Sequence, residues 1–331
     1  MKRSTALQLF IGLLIAAIGV WVFSRQVDLS AMLGKVQETP WWKIVVVVLF
    51  CPLTLLLRAW RWKVLLPSNK GCSKDGLFPL VTIGFMVNNF IPARVGEAVR
   101  AALLWNKNNY TIAESVGSLL VERLLDILVY VIFLFWPIFV LPELSSLRYY
   151  GLLFAGGVGA SIFCFIIYRI NPLLTRQFAI HLLKFIPDRL GRFITRIGKE
   201  LLSNVDWVFS RQRTLLIVIL SFATILCQVA MIQALGLGVT NFGLFVSMFT
   251  TACAAVGAAI PLSPGYVGTL HSAMLQGMEM AGIAPESAGA VAVLYHAIGY
   301  VTISLMGIYY FFKMKLTLKD INKAKSSIAS S

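Results

Sequence analysis

Two stretches of this chain echo one another, and each stops where an apolar run meets proline. The first is Thr82-Ile-Gly-Phe-Met-Val87-Asn-Asn-Phe-Ile91-Pro92-Ala-Arg-Val-Gly96, and the second is Thr251-Ala-Cys-Ala-Ala-Val256-Gly-Ala-Ala-Ile260-Pro261-Leu-Ser-Pro-Gly265. Thr, Val, Ile-Pro and Gly recur 169 positions apart, and Glu114-Ser115-Val116-Gly117 is echoed 172 positions on by Glu286-Ser287-Ala288-Gly289. One such match means little, because Ile-Pro and Gly are common in membrane segments. Several at one offset predict internal symmetry. Apolar segments broken by Pro and Gly at corresponding places in two halves point to an inverted-repeat membrane protein with a central binding site.

Composition agrees with the class. Of 331 residues, 58% are hydrophobic and 13% charged, against roughly 25% charged in an average soluble domain. The apolar residues come in long blocks, which predicts an all-α integral membrane protein. A net charge of +15 would suggest nucleic acid in a soluble chain. Here cytoplasmic loops rich in Lys and Arg account for it, and no nucleic-acid partner is assigned. The five cysteines sit mostly in apolar runs without close pairing, which implies neither a disulfide framework nor a metal knuckle. The run from Ala6 to Phe23 lacks a small-x-small cleavage site and reads as an uncleaved first helix.

A span needs about 20 mostly apolar residues. Six full spans are expected near 5–24, 43–65, 111–141, 149–169, 213–236 and 286–312. Two shorter apolar pieces, 77–91 and 242–260, each meet a break and then a short helix, 95–105 and 266–281. These are the proportions of re-entrant hairpins, tolerated at depth when buried in protein or lining a cavity. With the N-terminus in the cytoplasm, inside segments hold 23 of the 29 Lys and Arg, as cytoplasmic loops do. The two repeats, about 43–141 and 213–312, are then inverted and their hairpins opposed, with both termini cytoplasmic. The connector 170–212 fits both an amphipathic surface helix and a solvated linker. The tail 316–331 reads as disordered and cytoplasmic.

Charged groups inside a membrane are costly and are functional candidates by default. Asn88, Asn89, Pro92, Arg94, Gly96, Glu97 and Arg100 form the first cluster. Arg94, Glu97 and Arg100 are three apart and share a helical face. Two arginines held by one carboxylate suit a phosphate, although the same residues fit a water-facing hairpin mouth. Glu122, Arg123 and Asp126 form the second, read either as a bracing ion network or as a functional group that pairs with Arg94 or Arg100 and opens for substrate, or carries a proton. The third is the turn with Pro261, Ser263, Pro264, Gly265 and Gly268, whose exposed backbone either binds a headgroup or simply turns the chain. His271 follows it as a hydrogen-bonded structural side chain or a proton relay. His296 reads as a lone structural residue, and Arg58 and Arg61 as snorkelling side chains. No nucleophile with its base, metal-ligand spacing or nucleotide loop is legible, so no catalytic residue, metal or cofactor is assigned.

At these three motifs the chain resembles the lysylphosphatidylglycerol synthase transmembrane family, also called flippase-like domain proteins. That pattern is Asn-x-x-x-Pro-x-Arg-x-Gly-Glu-x-x-Arg, then Glu-Arg-x-x-Asp, then Pro-x-x-Pro-Gly-Gly-x-Gly-x-x-Glu. Here Tyr266 replaces a Gly and His271 stands at the Glu position. The resemblance implies a single flippase-like transmembrane domain over 1–315 that moves a phospholipid between leaflets of a bacterial inner membrane. Headgroup contacts would come from the first and third clusters, and gating from Glu122, Arg123, Asp126 and His271. Membrane lipids, either with an anionic headgroup or as polyprenyl phosphates, are the expected partners, and a homodimer is allowed. Because a soluble synthase domain is not found in the 331 residues, aminoacyl-tRNA-dependent synthesis is not expected. Two rivals stand: a lipid-linked transferase using Glu97, Glu122 and Asp126, and a structural partner of an envelope complex.

Overall fold

The computed structural model describes residues 3–66, 76–91, 94–108, 110–154, 156–157, 211–260 and 263–316. Most of the expected span at 149–169, nearly all of the connector and tail, and the two prolines Pro92 and Pro261 lie outside the described residues. Among those described, every regular element is helical.

The helices are α1 (Arg3–Gln26), α2 (Leu29–Gln37), α3 (Trp41–Leu65), α4 (Phe78–Phe90), α5 (Val95–Asn108) and α6 (Ile112–Val140). After the undescribed connector come α7 (Arg211–Gly236), α8 (Leu244–Ala259), α9 (Thr269–Met280) and α10 (Pro285–Lys313). Four helical segments are long and apolar enough to cross a bilayer: Trp41–Leu65, Glu114–Val140, Arg213–Gly236 and Pro285–Lys313. A fifth crossing is reached if α1 and α2 count as one bent span. The bend is 88°. Asp28 makes it: its Oδ1 accepts the Ser30 and Ala31 backbone N–H groups and caps α2.

The two shorter apolar helices, α4 and α8, each fold back on the helix that follows. In the first pair the Asn88 side-chain oxygen accepts the Gly96 N–H at 2.7 Å. A Cβ on Gly96 would come within 1.9 Å of the Gly84 carbonyl oxygen, so only glycine lets α4 and α5 approach this closely. In the second pair Gly257 lies against Thr269 and Ala273, and Gly277 against Cys253, which sets α8 and α9 antiparallel.

The packing pattern is unchanged when α3–α6 are exchanged with α7–α10. Thus α3 packs on α7, α4 on α10 as α8 on α6, and α5 on α6 as α9 on α10. Two large apolar cores result. One gathers Val47, Cys51, Ile232, Met274 and Ala292, and the other Leu55, Trp62, Leu80, Ile83 and Leu104. Helix α3 contributes to both.

Candidate functional site

Glu122 and Asp126 are four residues apart on α6, so they present one face. Both are buried, at 0% and 2% exposure. Bare carboxylates there would be very unfavourable, and each meets several guanidinium groups. Asp126 Oδ2 accepts from Arg58 Nη1 at 2.9 Å and Oδ1 from Arg61 Nη1 at 2.7 Å. Arg100 on α5 grips Glu122 with both terminal nitrogens, at 3.3 and 3.0 Å. Arg123 lies 3.3 Å from Glu122, 3.5 Å from Asp126 and 3.4 Å from Glu97. Arg61 also donates to Ser221 on α7 at 3.1 Å, so helices from both halves share the cluster. The Arg100 guanidinium lies 4.4 Å from the Trp62 ring centroid, a stacking arginine readily adopts.

The geometry corrects two sequence readings. Arg58 and Arg61 do not snorkel: they are 5% and 0% exposed and hold Asp126. In an apolar helix with a buried carboxylate in reach, pairing in place is better than stretching to water. Nor do Arg94 and Arg100 share Glu97: Arg100 pairs with Glu122, while Arg94 donates to the Ala258 carbonyl on α8 at 2.8 Å. Arg94 thereby bridges the two hairpin-shaped pairs from a left-handed backbone position, φ 51°.

A cavity of about 450 Å³ opens beside the cluster, lined by Arg58, Arg94, Arg100, Arg123, Glu97, Asp126, Asn88, Gln228, Tyr266 and Tyr295 among others. Five arginines (58, 61, 94, 100 and 123) face three carboxylates (97, 122 and 126), an excess of two positive charges. Buried Nε atoms of Arg94 and Arg100 and Nε2 of Gln228 have no hydrogen-bond partner. Unmet buried donors at a cavity wall suit an acceptor-rich ligand.

Of the expected site residues, Asn88, Arg94, Glu97, Arg100, Arg123 and Asp126 line this cavity, and Glu122 sits behind it as the clamp. Asn89 faces α10 instead, donating to the Tyr300 carbonyl and Ser304. Ser263 pairs with Thr269, and Gly265 packs against Tyr300 and the Asn89 carbonyl. From the 263–268 turn only Tyr266 reaches the cavity. His271 is bonded to His296 at 3.0 Å, which corrects the reading of His296 as a lone residue. Gln228 and Tyr295 carried no motif, so nothing in the sequence singled them out, and Tyr266 stood out only as a departure from the family's Gly. The i, i+3 spacing of Arg58 and Arg61 was the one missed signal. Among the described residues no group of three or more His, Cys, Asp or Glu could hold a metal ion.

A multi-pass helical membrane domain with an arginine-rich cavity therefore defines the class. The chain belongs to the lysylphosphatidylglycerol synthase TM region family, whose profile matches residues 9–307. It is also 25% identical over 228 residues to the UPF0104 membrane protein MJ1078 of Methanocaldococcus jannaschii, covering 68% of this chain and 93% of that protein.

Proposed function

We propose that this protein moves a lipid with an anionic headgroup between the leaflets of a bacterial inner membrane. The observation that carries the reading is the excess positive charge at a cavity whose wall holds unpartnered arginine nitrogens. Arg94 is the headgroup's first contact. Its partner is a neutral carbonyl, and a phosphate oxygen is a stronger acceptor for a guanidinium. Arg100 and Arg123 follow as secondary contacts, balanced by Glu122 and Asp126. In this reading the chain has six spans and two opposed re-entrant hairpins in an inverted repeat, with both termini in the cytoplasm. One half rocks against the other while acyl chains stay in lipid. The interchangeable packing of the two halves supports that motion. A phospholipid and a polyprenyl phosphate carry the same phosphate chemistry. The transferase reading is weaker because Glu97, Glu122 and Asp126 each have an arginine within 3.5 Å, and such carboxylates are poor bases.

The test is mass spectrometry of lipids that co-purify with gently solubilised protein, wild type against Arg94→Ala. Arg94 lies outside the buried clamp but ties α8 through Ala258, so thermal unfolding of the variant is read alongside to show that lipid loss is not loss of fold. One anionic lipid enriched in the wild type and lost in the variant supports the proposal and names the cargo. Bulk-membrane lipid in both samples overturns it.

A further inference from the structure

The second hairpin turn is tied to α10 through two imidazoles. The Gly268 backbone N–H donates to His271 Nδ1 at 3.3 Å, and His271 Nε2 lies 3.0 Å from His296 Nδ1. A backbone N–H can only donate, so His271 Nδ1 is bare and its proton sits on Nε2. Nε2–H then donates to a bare His296 Nδ1, and the second proton of the neutral pair sits on His296 Nε2. Both bonds are met with each ring neutral.

A third proton cannot be added without loss. On His271 Nδ1 it would face the Gly268 N–H. On His296 Nδ1 it would face His271 Nε2–H, unless His271 shifts its own proton to Nδ1, which again opposes Gly268. A cationic His271 would also sit in the first turn of α9, where the helix dipole disfavours positive charge.

Outside the pair, His296 also bonds the Gly265 backbone, a contact open to the neutral and the charged ring alike, so release of the turn comes through the His271–Gly268 bond. Tyr295 and Tyr300 of α10, Tyr266 of the turn, and Cys51 and Arg58 of α3 line the adjoining cavity of about 170 Å³, and no carboxylate does. Helix α8 carries only Cys253 as a titratable group. Side chains of α1, described from Leu14 on, bring Phe23 to the His271 ring and leave Arg25 exposed, 5.8 Å from the Trp21 ring. Helix α4 brings the uncharged Asn89. Glu279 and Glu286 lie eight and ten residues along α9 and α10 from the pair.

The turn also holds three left-handed residues, Gly265, Tyr266 and Gly268, at φ 59°, 60° and 86°. Tyr266 among them lines both this cavity and the arginine cavity. We infer that His271 and His296 form a proton-binding switch in which uptake of one proton releases the 263–268 turn and moves Tyr266 at the arginine cavity. The assignment of this switch to lipid movement rests on the function proposed above, whereas the switch itself does not.

Full-length protein labelled with ¹⁵N-histidine in nanodiscs tests it, since the chain has three histidines and His181→Asn removes the third. At neutral pH both rings should show a bare Nδ1 and a protonated Nε2, and the two should take up one shared proton on acidification. Because every position for a third proton is opposed, hydrogen exchange of peptides covering 263–275, corrected for intrinsic rates, should rise about tenfold only on acidification below the ordinary histidine range, between about pH 6.5 and about pH 4. In His271→Asn, whose side-chain oxygen still accepts from Gly268, exchange should be flat. Flat exchange in the wild type, or two rings that stay neutral throughout, overturns the switch whatever the lipid result. A pH-dependent turn without co-purifying lipid upholds the switch and sinks only the transport reading.

Discussion

Arg61 Nη1 and Asp126 Oδ1 lie 2.7 Å apart at sites almost fully closed to solvent, although 65 residues separate them in the chain. Arg58 completes the clamp on the same carboxylate. Two arginines on α3 thus fix where α6 sits, and α6 presents Glu122 to Arg100.

Removing that carboxylate should leave two buried guanidinium groups without an adequate partner. Asp126→Asn is expected to destabilise by about 3–5 kcal/mol, read as thermal unfolding of detergent-purified protein. Glu97→Gln is the comparison, since Glu97 and its partner Arg123 are about a quarter exposed, and it should change stability by less than about 1 kcal/mol.

Gly96→Ala should separate α4 from α5, because the added Cβ overlaps the Gly84 carbonyl. Low yield and loss of the monodisperse peak in size-exclusion chromatography are expected. Gly117→Ala, where a Cβ meets nothing within 4 Å, should be neutral or gain up to about 1 kcal/mol from helix propensity.

Lys43 at the start of α3 is only 8% exposed and donates to the Leu235 and Leu237 carbonyls at the end of α7. Lys43→Met keeps the apolar stem and loses both bonds. It should cost about 1–3 kcal/mol in the same unfolding measurement, with lipid retention unchanged because Lys43 lies away from the arginine cavity.

At the start of α6, Thr111 and Glu114 form a reciprocal capping box with bonds of 3.1 and 2.8 Å. Thr111→Ala should cost about 1 kcal/mol. A loss as large as that of Asp126→Asn would show that the helix start carries a role beyond capping.

Helix positions were largely legible in the chain itself. The expected runs 43–65, 77–91, 213–236 and 242–260 lie within two residues of α3, α4, α7 and α8. Helix α2 was not expected: Leu29, Met32, Leu33 and Val36 follow helical spacing behind the Asp28 cap, but nine residues interrupted by Gly34 are too short to stand out beside the long apolar runs. The candidate site was legible as residue types but not as partners. Arg94, Arg100, Glu122 and Asp126 stood out because charge in an apolar run is rare, yet Arg94 reaches Ala258, 164 residues on, and His271 reaches His296.

Sequence alone determined the membrane class and the broken apolar segments, because apolar length, proline breaks and caps are properties of one segment. Tertiary structure alone decided that Arg58 and Arg61 are buried clamps, that Asn89 braces α10 and that two histidines share a bond. Each of those outcomes depends on which faces of distant helices meet, and a charge stays buried only where its partner is already in place.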